Sequence, residues 1–418
     1  AKVWGQYSEY SLTSADTFFA DAAARAGDVA PQLGADAGRL TLAATSSLTL
    51  GATLDAAPAT GGRGSQVDIA GDAIQVVGGA GVARDGYLHV DAVDLSQLGA
   101  GSLLIGGKRS RESDGDRVAV IASDVLLSND AAHALQGSEV ILAATDNVTL
   151  DAGSSLRANA STDAPSPALL IGNLAASGST ATSGDGALVR VSGTDAAPIV
   201  RRNVTGVDGA AGAPGGNLTI GDGASLVSGQ SISMDATGLT SIADDASLGA
   251  PSIDVTAGRI ALSGRDPSTQ DQAGRLLIGP HILAQLAGTE MTVLRGRSGI
   301  DLVGDVALSV SHALTLSTPE IVSDGGQAVL GADSIVLEND TGVIPGTVGA
   351  GGGHLRIDAG DLHTGNGDLA LGGLADIDVH ASRGMFASGT GTLNLGAADF
   401  AAVTPLVSVD NGVDAHWI

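Results

Sequence analysis

Apolar and polar positions alternate along this chain in very short runs. Three to five residues of period two recur at 66–70, 73–77, 87–90, 217–220, 231–235, 252–256, 259–262, 313–316, 334–337, 354–357 and 391–395. Gly, Asp, Ser or Asn separate them, which is the signature of strands joined by tight turns. One longer phrase is written twice, LTLAATSSLTL at 40–50 and VILAATDNVTL at 140–150. A small-residue turn and a further alternation follow each copy, LDA at 54–56 and LRA at 156–158. The tetrapeptide LLIG occurs at 103–106, 169–172 and 276–279.

Strands this short cannot bury a face alone, so stacking of repeated units must do it. Three all-β architectures are compatible with the pattern. A propeller needs longer strands in regular blades and periodic aromatics. A sandwich tolerates the strand density but fills its core with rings. A right-handed parallel β-helix, a solenoid with loop excursions, needs only short strands, small corner residues and Val, Leu, Ile and Ala stacked over their equivalents one coil away. The pattern favours this third architecture. At roughly 20–25 residues per coil and about 4.8 Å between coils, the chain yields about 15–19 coils and a rod of about 70–90 Å.

Composition supports a thin core. Of 418 residues only two are Trp, three Tyr and four Phe, whereas 62 are Gly, about twice the usual ~7%. Of the 46 acidic residues 40 are Asp, and Asp favours turns where Glu favours helices. With 43% apolar residues, the chain is unlike a disordered one. No apolar run approaches the ~20 residues of a membrane helix. Twenty basic residues against 46 acidic give a net charge of −26, the wrong field for phosphate backbones, so no nucleic-acid partner is expected. The absence of Cys removes disulfides and thiol chemistry and suits passage through an oxidising compartment.

Residues 1–38 read as an irregular N-terminal coil or cap, and 39–418 as one continuous β-helix. Within the former, 15–27 reads either as a short helix closing on Gly27 or as an irregular first coil; the residues leave both open. Ala1 introduces no charged and apolar leader, so the chain is expected to be an internal or processed part of a longer polypeptide. Residues 106–117, 160–167, 196–216 and 341–353 interrupt the alternation and read as loop excursions from coil corners.

The residues GSLLIGG at 101–107, Arg109-Ser110, EVILAA at 139–144, GALVRVSG at 186–193 and GDGASLVSGQSISMDA at 221–236 resemble the large filamentous-haemagglutinin-like exoproteins of Gram-negative bacteria. That resemblance implies a right-handed β-helix exported by two-partner secretion through an outer-membrane pore. It implies an adhesive rod at the bacterial outer surface, with a host or neighbouring cell surface or glycan as partner. Self-assembly into filaments is a variant of the adhesive reading, and a passive stalk carrying a C-terminal toxin or partner domain is an alternative to it. The family shares no catalytic residues to carry over.

Candidate chemistry is sparse. Lys108, Arg109 and Arg111, with Arg201 and Arg202, form two basic clusters in loops and are the candidate binding-loop residues. Asp114, Asp116 and Asp222 lie in acidic turns and are calcium candidates, although calcium wants six to eight oxygens and one Asp-Gly turn offers two or three; otherwise no cofactor is expected. Acid–base cleavage of polysaccharide would need paired carboxylates, for which Asp244-Asp245 with Asp235 and Asp254 are the candidates. His354, His363 and His380, near Asp358 and Asp361, have the residue types of a zinc site. Each of these also has an ordinary reading as a solvated turn or surface group, and no catalytic residue is assigned.

Overall fold

A computed structural model describes residues 13–31, 33–51, 54–161, 164–171, 186–194, 198–201, 216–266 and 274–418. The chain is all-β and mostly parallel in its strand pairing. Among the described residues its strands join one sheet of 20 and three smaller sheets of six, four and four. Nearly every alternating run named above is a strand or part of one, including Gln66–Ala70, Ala73–Val77 and Asn217–Ile220. Residues joined across neighbouring strands are commonly 22 apart in sequence, as where the Leu239 N–H donates to Asn217 Oδ1 and the Gln327 N–H to Asp305 Oδ1.

The core follows from this register. Opposed residues on successive strands form one column, apolar except at Thr292: Leu40, Val67, Leu103, Val140, Val191, Ile232, Ile253, Thr292, Leu314, Ile335, Leu362, Met385 and Val407. A second column runs two residues further on, from Leu42 through Ile69, Ile105, Leu142 and Val189 to Ala387 and Val409. Between the ends these residues are almost wholly buried: Val67, Leu142, Ile253 and Ile335 are 0% exposed. Small and β-branched side chains fit such a stack because each contacts its equivalent above and below.

Polar residues stack too. Asp124, Asn147 and Asn217 occupy one register position, with Asn147 Nδ2 donating to Asp124 Oδ1 at 2.7 Å and Asn217 Nδ2 to Asn147 Oδ1 at 3.1 Å. Buried Asn129 closes a corner by donating to the Ser155 carbonyl and accepting its N–H. The Asn129 bonds satisfy groups that would otherwise be buried unpaired.

Three features depart from the sequence reading. Residues 106–117 are not a loose excursion: Gly107–Arg111 and Asp116–Val120 pair antiparallel. Leu169–Ile171 and Ile199–Arg201 then add in parallel, making a four-stranded lateral sheet. Val118, Leu169 and Ile171 of this sheet pack on Leu104, Ile141, Ala143 and Leu188 of the long sheet. This is why LLI at 103–105 is buried at every residue: Leu103 and Ile105 face the columns and Leu104 faces the lateral sheet. The strand Ala187–Ser192 runs antiparallel to both its neighbours. Its entry requires Gly186, at φ 79°, because a Cβ there would lie 1.7 Å from the Ala144 carbonyl oxygen. Lastly, several long strands serve two stacks, turning at register shifts such as the one between Ala257 and Arg259.

Helices are few. Ala15–Ala26 settles the open choice at 15–27: Ser14 caps it by accepting from the Thr17 N–H, and Gly27 ends it at φ 72°. Ala92–Gln97 and Pro280–Ala287 are further helices that the alternation did not reveal. The second half of the 40–50 phrase is not a strand, unlike Asn147–Leu150 in its twin. Asn147–Leu150 has a paired strand on both sides.

Candidate functional site

Residues that alternate with the columns point to the other face of the long sheet, and there the charged groups gather. One outward register line runs Thr41, Asp68, Leu104, Ile141, Arg190, Ser233 and Asp254; another places Asp235, Thr256 and Arg295 on successive strands. Beside the second, the lateral strand Ile199–Arg201 and the loop residues Asp340 and Val343 enclose a cavity of about 470 Å³ that Asp235, Thr256, Arg295 and Arg297 also line.

Asp235 is the electrostatic centre of that cavity. It is 5% exposed and clamped by two arginines, Arg201 Nε at 2.9 Å from Oδ2 and Arg297 Nη2 on Oδ1. Burial raises its pKa, but the Arg201 and Arg297 charges outweigh that and hold the carboxyl below its ordinary value. Arg201 also donates to the Gly186 and Asp235 carbonyls, tying the lateral sheet to the long one. At the rim, Arg295 Nε donates to both carboxylate oxygens of Asp340, at 3.2 and 3.1 Å, and its Nη1 to Thr256 Oγ1. Asp254 sits 3.7 Å from Arg295 with one oxygen buried and without a hydrogen bond. Burial, above all, pushes it up to about 6, with Asp235 and Asp340 adding to the rise against Arg295 and Arg190.

The same face carries a second ionic cluster under the lateral sheet. Arg109 is 6% exposed, so it is not a binding-loop cation. Its Nε donates to Asp68 Oδ1 at 2.7 Å, its backbone N–H to Asp68 Oδ2 at 2.8 Å, and its Nη atoms to Ser102 Oγ and the Val67 and Ser102 carbonyls. Asp116, a calcium candidate, is 0% exposed and accepts from Gln66 Nε2 at 2.6 Å and Arg39 Nη2 at 3.2 Å, so arginine and amide occupy the oxygens a cation would need. Arg201 departs from expectation likewise, since its side chain is 6% exposed and bound to Asp235. Lys108 and Arg111 do stand exposed on the hairpin. Arg202 lies outside the described residues.

The remaining candidates do not converge. Asp114 and Asp222 are exposed and on different turns, and no group of three or more metal-binding side chains occurs among the described residues. His354 pairs with Asp376 at 2.8 Å, whereas His363 stacks on Phe386 and bonds Ser388 Oγ. Asp244 and Asp245 act as local acceptors: the Asp244 carbonyl bonds His281 Nδ1 and Asp245 Oδ1 takes the Gly223 N–H. Asp235 and Asp254, by contrast, do come onto one face. Reading the sequence passed over Arg190, Arg295, Arg297 and Asp340. The visible signal was a charge inside an apolar alternation, as in LVRV at 188–191; its burial depends on a lateral sheet that local pattern does not encode.

A scan against family models, a search of curated proteins and a search of solved structures each return no match for this chain.

Proposed function

We propose that this chain is a right-handed parallel β-helical segment of an exported surface adhesin, working without catalysis as a stiff rod for attachment. The pair of long, mainly apolar columns, interrupted only by Thr292 and Thr364, carries the reading. A stack in which most strands lie parallel over their neighbours gains length without thickening its core, and that suits reach and stiffness. Parallel crossovers are right-handed in nearly all proteins, which supplies the hand. The net charge of −26 keeps such a rod soluble and resists side-by-side clumping until salt screens it. Among the described candidate cations, Lys108 and Arg111, exposed at the lateral hairpin, are the ones left to meet a glycan or cell surface.

Two measurements test this. Thirteen strands in a column at about 4.8 Å give a particle about 60 Å long, so electron microscopy of the purified protein should reveal straight rods of that order; globular particles would refute the architecture. Cell or glycan binding should fall when Lys108→Ala and Arg111→Ala are combined, and unchanged binding would remove the hairpin from the adhesive surface.

A second reading rests on Asp235 and Asp254, whose pKa values are driven apart on one face, the arrangement of an acid and a base. It requires product release from acidic polysaccharides that Asp254→Asn abolishes. No product across a panel of such substrates would dismiss it.

A further inference from the structure

A second cleft lies on a different sheet from the ionic clusters. The helix Ala92–Gln97, the short turn Ala131–His133 and the strands Leu135–Gly137 and Ser155–Ala158 supply the residues that line it, and its volume is about 360 Å³. Its walls are held in place. Asp91 caps the helix by accepting from the Val93 and Asp94 N–H groups, and Asp130 caps the turn by accepting from those of Ala132 and His133. Ser96 Oγ donates to the Ala92 carbonyl at 2.6 Å and accepts from the Gln136 N–H at 3.0 Å, which locks helix to strand. The charge of this cleft is unlike that of the molecule. A chain with 46 acidic residues places none among the described residues that line it. Arg157 stands opposite Gln136 on the adjacent parallel strand and is exposed. Its Nε donates to Ser155 Oγ at 3.3 Å, and among the described residues it forms no ion pair. In the cavity beside Asp235, by contrast, Arg201, Arg295 and Arg297 each face a carboxylate. Asp130, next to the second cleft, also has its oxygens engaged by the Ala80 N–H and His133 Nδ1.

We propose that this cleft binds a sugar unit bearing a carboxylate, with Arg157 as its anchor. The inference rests on the adhesin reading and deepens it by naming a class of glycan and a seat for it away from the hairpin. Three features select this chemistry. The planar guanidinium of Arg157 matches a carboxylate through two parallel hydrogen bonds, and no protein carboxylate competes for it. Gln97 and Gln136 each present a donor and an acceptor, the two functions that a sugar hydroxyl needs from its partner. Val93 and the methyl groups of Ala131, Ala132 and Ala134 offer apolar surface to the C–H face of a ring. The volume is more than a small carboxylate ion requires and falls within the roughly 300–1,000 Å³ of small-molecule sites.

Titration of the full 418-residue chain with glucuronate, glucose and acetate, followed by ligand-observed NMR, tests the site. Glucuronate should bind at least about tenfold more tightly than glucose, which lacks the charge, and than acetate, which lacks the hydroxyls. Arg157→Ala should weaken glucuronate by at least about tenfold and leave glucose unchanged. Gln97→Ala combined with Gln136→Ala should weaken both sugars. These side chains are exposed, so hydrogen exchange across Ser155–Ala158 should match the parent in every variant, which separates a lost site from a lost fold. Acetate binding as tightly as glucuronate would reduce the site to an adventitious ion only and overturn the proposal. Glucuronate affinity that survives Arg157→Ala, with the fold intact, overturns it as well. A chain that attaches to cells but binds no glucuronate overturns the site and leaves the adhesin reading standing. A chain that binds glucuronate through Arg157 but attaches to no cell or glycan surface overturns the adhesin reading and leaves the site.

Discussion

Replacing Asp68 by Ala is the sharpest test of why the basic cluster at 108–111 exists. Asp68 is 0% exposed and receives two bonds from Arg109, one from the guanidinium and one from the backbone N–H. Arg109 is itself 6% exposed, and after the substitution it keeps its bonds to Ser102 and the Val67 carbonyl but loses its counter-charge. Removing one partner of a buried pair costs about 3–5 kcal/mol, because an uncompensated charge stays in a low-dielectric site. A stacked array does not unfold in one step, so the loss should be read locally, by hydrogen exchange across Gly107–Arg111 and Asp116–Val120. At 1.4 kcal/mol per tenfold, protection there should fall by a factor of at least about 100. Protection at Ser334–Leu337, several strands away, should stay unchanged. Replacing both partners, Asp68→Leu with Arg109→Met, should recover most of the loss, since matched apolar groups avoid the stranded charge. A fall of less than about tenfold in Asp68→Ala would refute the buried-pair account and return Arg109 to the candidate binding surface.

Position along the stack should govern the cost of truncation. Leu142→Ala, at a residue 0% exposed inside the second column, should cost about 2–5 kcal/mol of local stability, read by hydrogen exchange across Glu139–Ala144, and Leu40→Ala less than about 1 kcal/mol across Arg39–Ala43; equal costs would contradict the columns. Asp254 titrates at about 6 in the folded protein against an ordinary 3.8. The folded state therefore holds a proton that the unfolded chain releases between about pH 4 and 6, and this contribution is present below that window and lost as pH rises through it. Asp254→Asn should flatten that slope and stabilise the protein at pH 7 by about 1–2 kcal/mol, as thermal unfolding at pH 5 and 7 would show; an unchanged slope would assign the titration elsewhere. Calcium and EDTA should leave the unfolding midpoint within about 1 °C, in the parent and in Asp114→Ala with Asp222→Ala, because the buried oxygens of Asp116 are already held by Arg39 and Gln66. A calcium-dependent rise would restore the metal reading.

Much of the fold was legible without coordinates because its information is local. A period of two over four or five residues, closed by Gly or Asp, dictates a strand wherever neighbours exist to pair with it; 66–70, 217–220 and 313–317 form strands accordingly. Scarce rings and abundant Val, Leu and Ala likewise dictate a core only one side chain thick. The charged groups were not legible in the same way. GKRSR at 107–111 has the composition of a solvated loop, and Arg109 is buried only because Asp116–Val120 and Leu169–Ile171 build a second layer against the long sheet. Arg190 sits inside a strand whose reversed direction depends on contacts with strands at 139–144 and 231–236, far away in sequence. Alternation determines which face a side chain takes. Whether that face meets water or a covering sheet depends on long-range contact, and that difference separates a binding arginine from a structural one.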